Sequence, residues 1–152
     1  MSAMRYQTEL VSGLWDEAMP LLEKHYREIA RYKDIALDPD RAVYAAIEAA
    51  GKLRCYTGRD GGRLVGYAVF FLMTDPHRRT VLQALQDVLF IEPQSRKGLM
   101  AGVRLIRYAE EQLAAEGVQV VYHHVKLINR LGNLLGSIGY EIDGEVYAKR
   151  LA

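Results

Sequence analysis

Arg96-Lys97-Gly98-Leu99-Met100-Ala101-Gly102 sets two cations and two glycines within seven residues, just after an apolar run that Pro93 closes. A strand, a short loop and a long helix in that order leave the first N–H groups of the helix unpaired. With the helix dipole behind them, those groups can hold a phosphate. The glycines let the backbone come close to such a ligand. The segment carries neither the Gly-x-x-x-x-Gly-Lys-Ser/Thr of a P-loop nor the Gly-x-Gly-x-x-Gly of a dinucleotide fold. It therefore marks a local anion site, and the same pattern also occurs as an ordinary basic helix start.

Three further groups could move protons. Asp87 lies four residues before Ile91 in the run Asp87-Val88-Leu89-Phe90-Ile91, and strand alternation puts the two on one face. It could take a proton or pair with an arginine such as Arg79. His123 and His124 are adjacent, so they point to opposite sides of a strand and only one can face a given cleft. His77 sits in a loop that could close over a pocket. Tyrosines number ten, and each is first of all a packing residue.

The elements that must position these groups follow from hydrophobic period. Arg5 to Leu10 alternates as a short strand, and Ser12-Gly13 reads as a turn and helix N-cap. Leu14, Ala18, Leu21, Leu22, His25 and Ile29 fall on one side of a helix over residues 14–29. Asp38-Pro39-Asp40 resembles a helix start, with a second helix over Val43 to Ala50 stopped by Gly51. Leu53 to Arg59, Asp60-Gly61-Gly62 and Arg63 to Met73 form a hairpin pattern. A loop over 74–79 leads to a strand over Thr80 to Glu92, buried on both faces near its end. A long helix spans about Lys97 to Glu116, a strand Val118 to His124, a short helix Asn129 to Ile138, and one or two strands Tyr140 to Lys149. The helix between the strand ending near Glu92 and the one starting at Val118 predicts a right-handed crossover and a parallel strand pair.

Composition bounds the rest. A chain of 152 residues, 50% hydrophobic and 26% charged, is too apolar for disorder and has the length of a single domain over 1–152. Lys and Arg number 20 against 19 Asp and Glu, leaving a net charge of +1. No overall field favours nucleic acid or an anionic membrane. The lone Cys55 excludes an internal disulfide and fits a reducing, cytoplasmic setting. The longest apolar run, Tyr67 to Met73, is far too short to cross a bilayer, and the first residues do not read as a signal peptide.

Several stretches together carry a family likeness. These are Arg63-Leu64-Val65-Gly66-Tyr67, Asp87 to Pro93, Arg96 to Gly102 with Leu105-Ile106-Arg107-Tyr108-Ala109-Glu110, His124-Val125-Lys126, and Leu134-Leu135-Gly136-Ser137-Ile138-Gly139-Tyr140. Over most of its length the chain resembles the GNAT superfamily of acyl-CoA-dependent N-acyltransferases, in particular the small GNAT-like proteins of tailed bacteriophages. The resemblance implies an α/β (α+β) domain with a mixed, mostly antiparallel sheet in the order β-α-α-β-β-β-α-β-α-β(β), its fourth and fifth strands splayed. It implies that CoA is held by Leu89, Phe90 and Ile91 along the pantetheine arm and by a diphosphate turn over Lys97, Gly98, Met100, Ala101 and Gly102. Met100 stands where the family has its first glycine. Because the loop from Ile91 is one residue longer than usual, Arg96 is the alternative to Lys97. Asn129 matches the family's asparagine before the last helix.

The resemblance further implies acetyl-CoA as co-substrate and a primary amine of a small molecule or protein as acceptor, attacking the thioester directly. Asp87 is the first choice of base, and His124 is the better placed of the two histidines. The family's proton-donating tyrosine falls on Leu135 or Gly136, leaving Tyr140, Tyr122, Tyr147 or water for that step. Glu28, Asp34 and Asp38 could attract a cationic amine. A homodimer built from the terminal strands is compatible with this reading. The reading from another class is a catalytically silent GNAT-fold protein, for instance a phage factor that docks on a host protein.

Overall fold

The computed structural model describes residues 4–96, 100–127 and 131–152. Five strands form one sheet in sequence order: β1 (Met4–Glu9), β2 (Leu53–Asp60), β3 (Arg63–Asp75), β4 (Arg78–Ile91) and β5 (Val120–Tyr122). Neighbours are antiparallel except β4 and β5, which are parallel across the helical crossover, as the sequence predicts. Helices α1 (Val11–Ile29) and α2 (Arg41–Ala49) cover one face; α3 (Met100–Ala115) and α4 (Leu131–Ser137) cover the other. No helix among the described residues is long and apolar enough to cross a membrane.

Each face has its own core. Leu105, Ile106, Ala109 and Leu113 of α3 meet Tyr56, Phe70 and Ala84 of the sheet, while Leu14 and Leu21 of α1 meet Cys55, Tyr67 and Phe90. Burying an aliphatic side chain fully is worth about 1.5–3 kcal/mol, so these rows fix which way each strand faces. The turn between β2 and β3 uses Gly61 and Gly62 at φ 58° and 85°, positive values that suit a tight hairpin. Asp40 caps α2 by accepting a hydrogen bond from the Val43 amide at 3.1 Å.

Five expectations are corrected. Helix α1 begins at Val11 and takes in Ser12 and Gly13, because Glu48 of α2 accepts from the Val11 amide at 2.7 Å and caps the end from outside. The stretch 74–79 is no loop: β3 and β4 run to a tight turn at Pro76-His77, where Asp75 accepts from the His77 amide at 2.9 Å and from Arg78 Nε at 2.6 Å. His77 thus stands exposed at a hairpin tip and does not line a pocket. β5 stops at Tyr122. No strand forms over 140–152, because β5 offers a ladder only three residues long. The tail instead ends on the loop after α1, where Arg150 reaches Asp34 at 2.8 Å and lies over the Tyr32 ring at 5.5 Å.

Candidate active site

The ladder between β4 and β5 holds only Gln83↔Val120, Ala84↔Val121 and Leu85↔Tyr122. Past it, β4 continues to Ile91 still paired with β3, while the chain after Tyr122 leaves the sheet. The two strands diverge, so β4 from Gln86 onward has no strand partner on that side among the described residues. A cleft of about 490 Å³ opens at this point. Its walls are the second half of α1, the loop over 35–39, Tyr44, residues 86–89 of β4 and residues 124–126.

A β-bulge sets the orientation of Asp87. Val69 pairs with Val88 and Phe70 with Gln86, so Asp87 is the extra residue on β4. A bulge inserts one residue and shifts the alternation beyond it. Ala84 packs on the α3 side, Val88 and Phe90 on the α1 side, and Leu89 and Ile91 on the α3 side. Asp87 faces α2, where Tyr44 Oη donates to its Oδ2 at 2.5 Å. The expectation that Asp87 and Ile91 share a face is therefore wrong, since it counts a regular strand across an irregular one. Its partner is also Tyr44 rather than Arg79.

Burial raises the Asp87 carboxyl above the ordinary aspartate range, and the Tyr44 hydroxyl, which favours the charged form, only partly offsets this. The Tyr44 phenol is pushed well above its own ordinary value by burial and by that carboxylate. Among the described residues nothing else bonds the carboxylate. One oxygen is thus held and the other can serve a ligand, in a group tuned towards accepting a proton.

His123 and His124 part as alternation requires. His124 is exposed and lines the cleft. His123 turns to the α3 side, bonds Gln86 Oε1 through Nδ1 at 2.6 Å and meets the rings of Phe70 and Tyr140 edge-on. Burial lowers its imidazole to about 4. Tyr140 is on that same side. Its hydroxyl donates to Glu110 of α3 at 2.6 Å, and it does not line the cleft, so the structure does not bring it to Asp87 and His124.

At the head of α3 the arrangement differs from the sequence picture. Lys97, Gly98 and Asn129 lie outside the described residues. Arg96 is no free cation: Nη2 meets Glu28 at 3.0 Å, Nε donates to the Ile91 carbonyl at 2.8 Å, and its guanidinium lies over Phe90 at 5.6 Å. The Ile91 carbonyl is thus engaged, whereas Leu89 lines the cleft. Met100, the first described residue of the helix, is 53% exposed, and Ala101 is buried beside it. At Gly102 a Cβ would stand 3.3 Å from Leu134 of α4, so the two helices pack closely there.

Residues that sequence reasoning missed hold this frame. Tyr44 bonds Asp87 across 43 positions of sequence. His25, counted only as a face of α1, lines the cleft and stacks on Phe90 at 4.8 Å. Glu92, buried, receives Arg63 at 2.7 Å and the Ser95 hydroxyl at 2.9 Å, which fixes the turn after β4. Of the three carboxylates expected to draw a cation, Glu28 is spent on Arg96 and Asp34 on Arg150, and only Asp38 lines the cleft. No group of three His, Cys, Asp or Glu among the described residues could hold a metal ion.

No family model matches the sequence, and no curated protein does. Solved structures do match. Ribosomal-protein-alanine N-acetyltransferase from Brucella melitensis biovar Abortus 2308 aligns with TM-score 0.74 at 16% identity, over 99% of this chain and 100% of its own. An aminoglycoside acetyltransferase from an uncultured soil metagenomic sample, in complex with sisomicin, aligns with TM-score 0.76 at 11% identity, over 98% and 95%. Aminoglycoside N-acetyltransferase AAC(6')-Iy, in complex with the bisubstrate analog CoA-S-monomethyl-acetylneamine, aligns with TM-score 0.71 at 16% identity, over 99% of both chains. The chain has the GNAT acetyltransferase fold.

Proposed function

We propose that this protein is an N-acetyltransferase that moves an acetyl group from acetyl-CoA to a primary amine by direct attack. The observation that carries this reading is the cleft between diverging β4 and β5, with a half-buried, proton-accepting carboxylate in its wall. An extended amide chain such as pantetheine can pair with the free stretch of β4 near Leu89, completing a sheet edge. Asp87 takes the proton from the amine, directly or through water, and the freed nitrogen attacks the thioester carbonyl. The C–N bond forms and the C–S bond breaks. His124, in the same cleft, is the second group able to carry a proton there: the proton the nitrogen sheds as the amide forms passes to it or to solvent, and the thiolate leaves to be protonated by solvent. A solved relative by fold, AAC(6')-Iy, holds a CoA-derived bisubstrate, in keeping with such a chemistry on this scaffold.

The test is release of free thiol from acetyl-CoA over a panel of amines, in the native chain and in Asp87→Asn. Loss of a positioned base costs roughly 10²–10⁴ in rate. Equal rates would remove Asp87 from the mechanism. The silent reading is favoured by Leu135 and Gly136 of α4, where the resemblance expects an acid, and by Met100, where it expects a glycine. CoA binding without thiol release from any amine would establish it.

The terminal segment supports a homodimer. Residues 141–152 are exposed throughout, yet Ile142, Val146 and Ala148 alternate with polar residues as in a half-buried strand. Its acidic half, Glu141, Asp143 and Glu145, complements Lys149 near its end in an antiparallel arrangement with a second copy. β5 of each copy keeps an edge without a ladder for such a strand.

A further inference from the structure

Beside Asp87 and Tyr44 a second, smaller cavity of about 60 Å³ lies between α1 and the sheet. It shares Leu22, Pro39, Tyr44, Asp87 and Val88 with the cleft, so the candidate base stands where the two spaces meet. The rest of its wall is almost wholly apolar, with Leu14, Trp15, Ala18 and Met19 from α1 facing Cys55 and Val69 of the sheet. The exception is Tyr67, 3% exposed, whose hydroxyl has no hydrogen-bond partner among the described residues. The volume exceeds the roughly 10–15 Å³ that one water requires, so it admits a small side-chain-sized group.

Charge narrows the choice. Around the cleft the carboxylates of Glu28 and Asp34 are neutralised by Arg96 and Arg150, and among the described residues the lining sets only Asp38 and Asp87 against Lys126. That balance suits a single ammonium and leaves a polycation uncompensated. We infer that the acceptor is a monoamine bearing a short apolar arm, its nitrogen at Asp87 and its arm in the annex beside Tyr67. The inference rests on the acetyltransferase reading and names the substrate class of that site. Ala18, one of the smallest residues in the annex wall, becomes a specificity-determining position.

The test compares methylamine, isoamylamine and spermine as acceptors by thiol release, separating KM from kcat. A buried methylene is worth about fourfold in affinity, so isoamylamine should show a KM roughly tenfold or more below that of methylamine. Spermine should do no better than methylamine. Ala18→Phe fills the annex and should bring the ratio of the two KM values close to one, with a cooperative urea transition reporting a folded chain. Ala18→Leu, a smaller change, should give an intermediate ratio. Equal KM values in the native chain, a lowest KM for spermine, or an unmoved ratio in both variants would overturn the inference. If no amine releases thiol, the acetyltransferase reading fails by itself, and calorimetry with isoamylamine alone decides the annex: binding to the native chain and not to Ala18→Phe supports it, and no binding refutes it.

Discussion

Asp87 and Tyr44 form a pair whose pH behaviour can be stated in sign. Burial raises the Asp87 carboxyl, so the base form fills only above the ordinary aspartate range. The rate should climb with pH through that raised value, and Asp87→Asn should remove the climb. Tyr44 donates to the carboxylate and so favours its charged form. Tyr44→Phe should therefore move the rising limb to higher pH while leaving its height within about tenfold, measured as kcat/KM against pH. His25 gives a stability prediction. Burial lowers its imidazole to about 4, with Glu28 opposing and Arg96 adding to the shift. A depressed imidazole favours folding above its unfolded value near 6.5, and that gain is lost as pH falls from about 6.5 to about 4. His25→Phe keeps the ring on Phe90 and should flatten the loss by on the order of 1–3 kcal/mol, read from urea midpoints across that range. Asp87 as a candidate was legible in the sequence from its type and its place in a buried run. Its facing was not, because a bulge leaves no mark in the alternation of polar and apolar residues. Tyr44 was hidden too, since a tyrosine on a distant helix looks like any other packing residue.

At the scale of elements, local chemistry was legible wherever the deciding residues were neighbours. Gly61-Gly62 announced the hairpin and Asp40 the start of α2, because each acts within a few residues of itself. The start of α1 was misread because its cap, Glu48, comes from another helix. The tight turn at Pro76-His77 was misread as a loop because Asp75 closes it through a side chain. β3 and β4 also depend on a close approach: a Cβ on Gly66 would stand 2.8 Å from the Phe90 carbonyl oxygen and 2.7 Å from Ile91 Cγ1. Gly66→Ala must push backbone, which cannot yield as a flexible side chain does. We expect it to cost about 1–3 kcal/mol in urea unfolding and to weaken CoA binding, because it moves the stretch of β4 assigned to the pantetheine arm. Retained binding with full stability would show that this stretch tolerates displacement.

At the scale of the molecule, the order of elements and the parallel crossover were legible because hydrophobic period and crossover handedness leave few topologies for a chain of this length. The last strand was not, because alternation in 140–149 shows what the segment could pair with but not whether a partner lies in the same chain. The proposed dimer makes this testable: light scattering should give twice the chain mass, and Ile142→Lys with Val146→Lys should give the single-chain mass with the fold intact. The central claim is that the gap between β4 and β5 receives the thioester arm of acetyl-CoA. Calorimetric titration of the native chain with acetyl-CoA tests it most directly. The account predicts saturable binding of one acetyl-CoA per chain, with the Leu89 and Ile91 amides, which point away from β3, gaining protection from hydrogen exchange in the complex. No heat of binding at millimolar acetyl-CoA, or binding that leaves those amides unprotected, would contradict it.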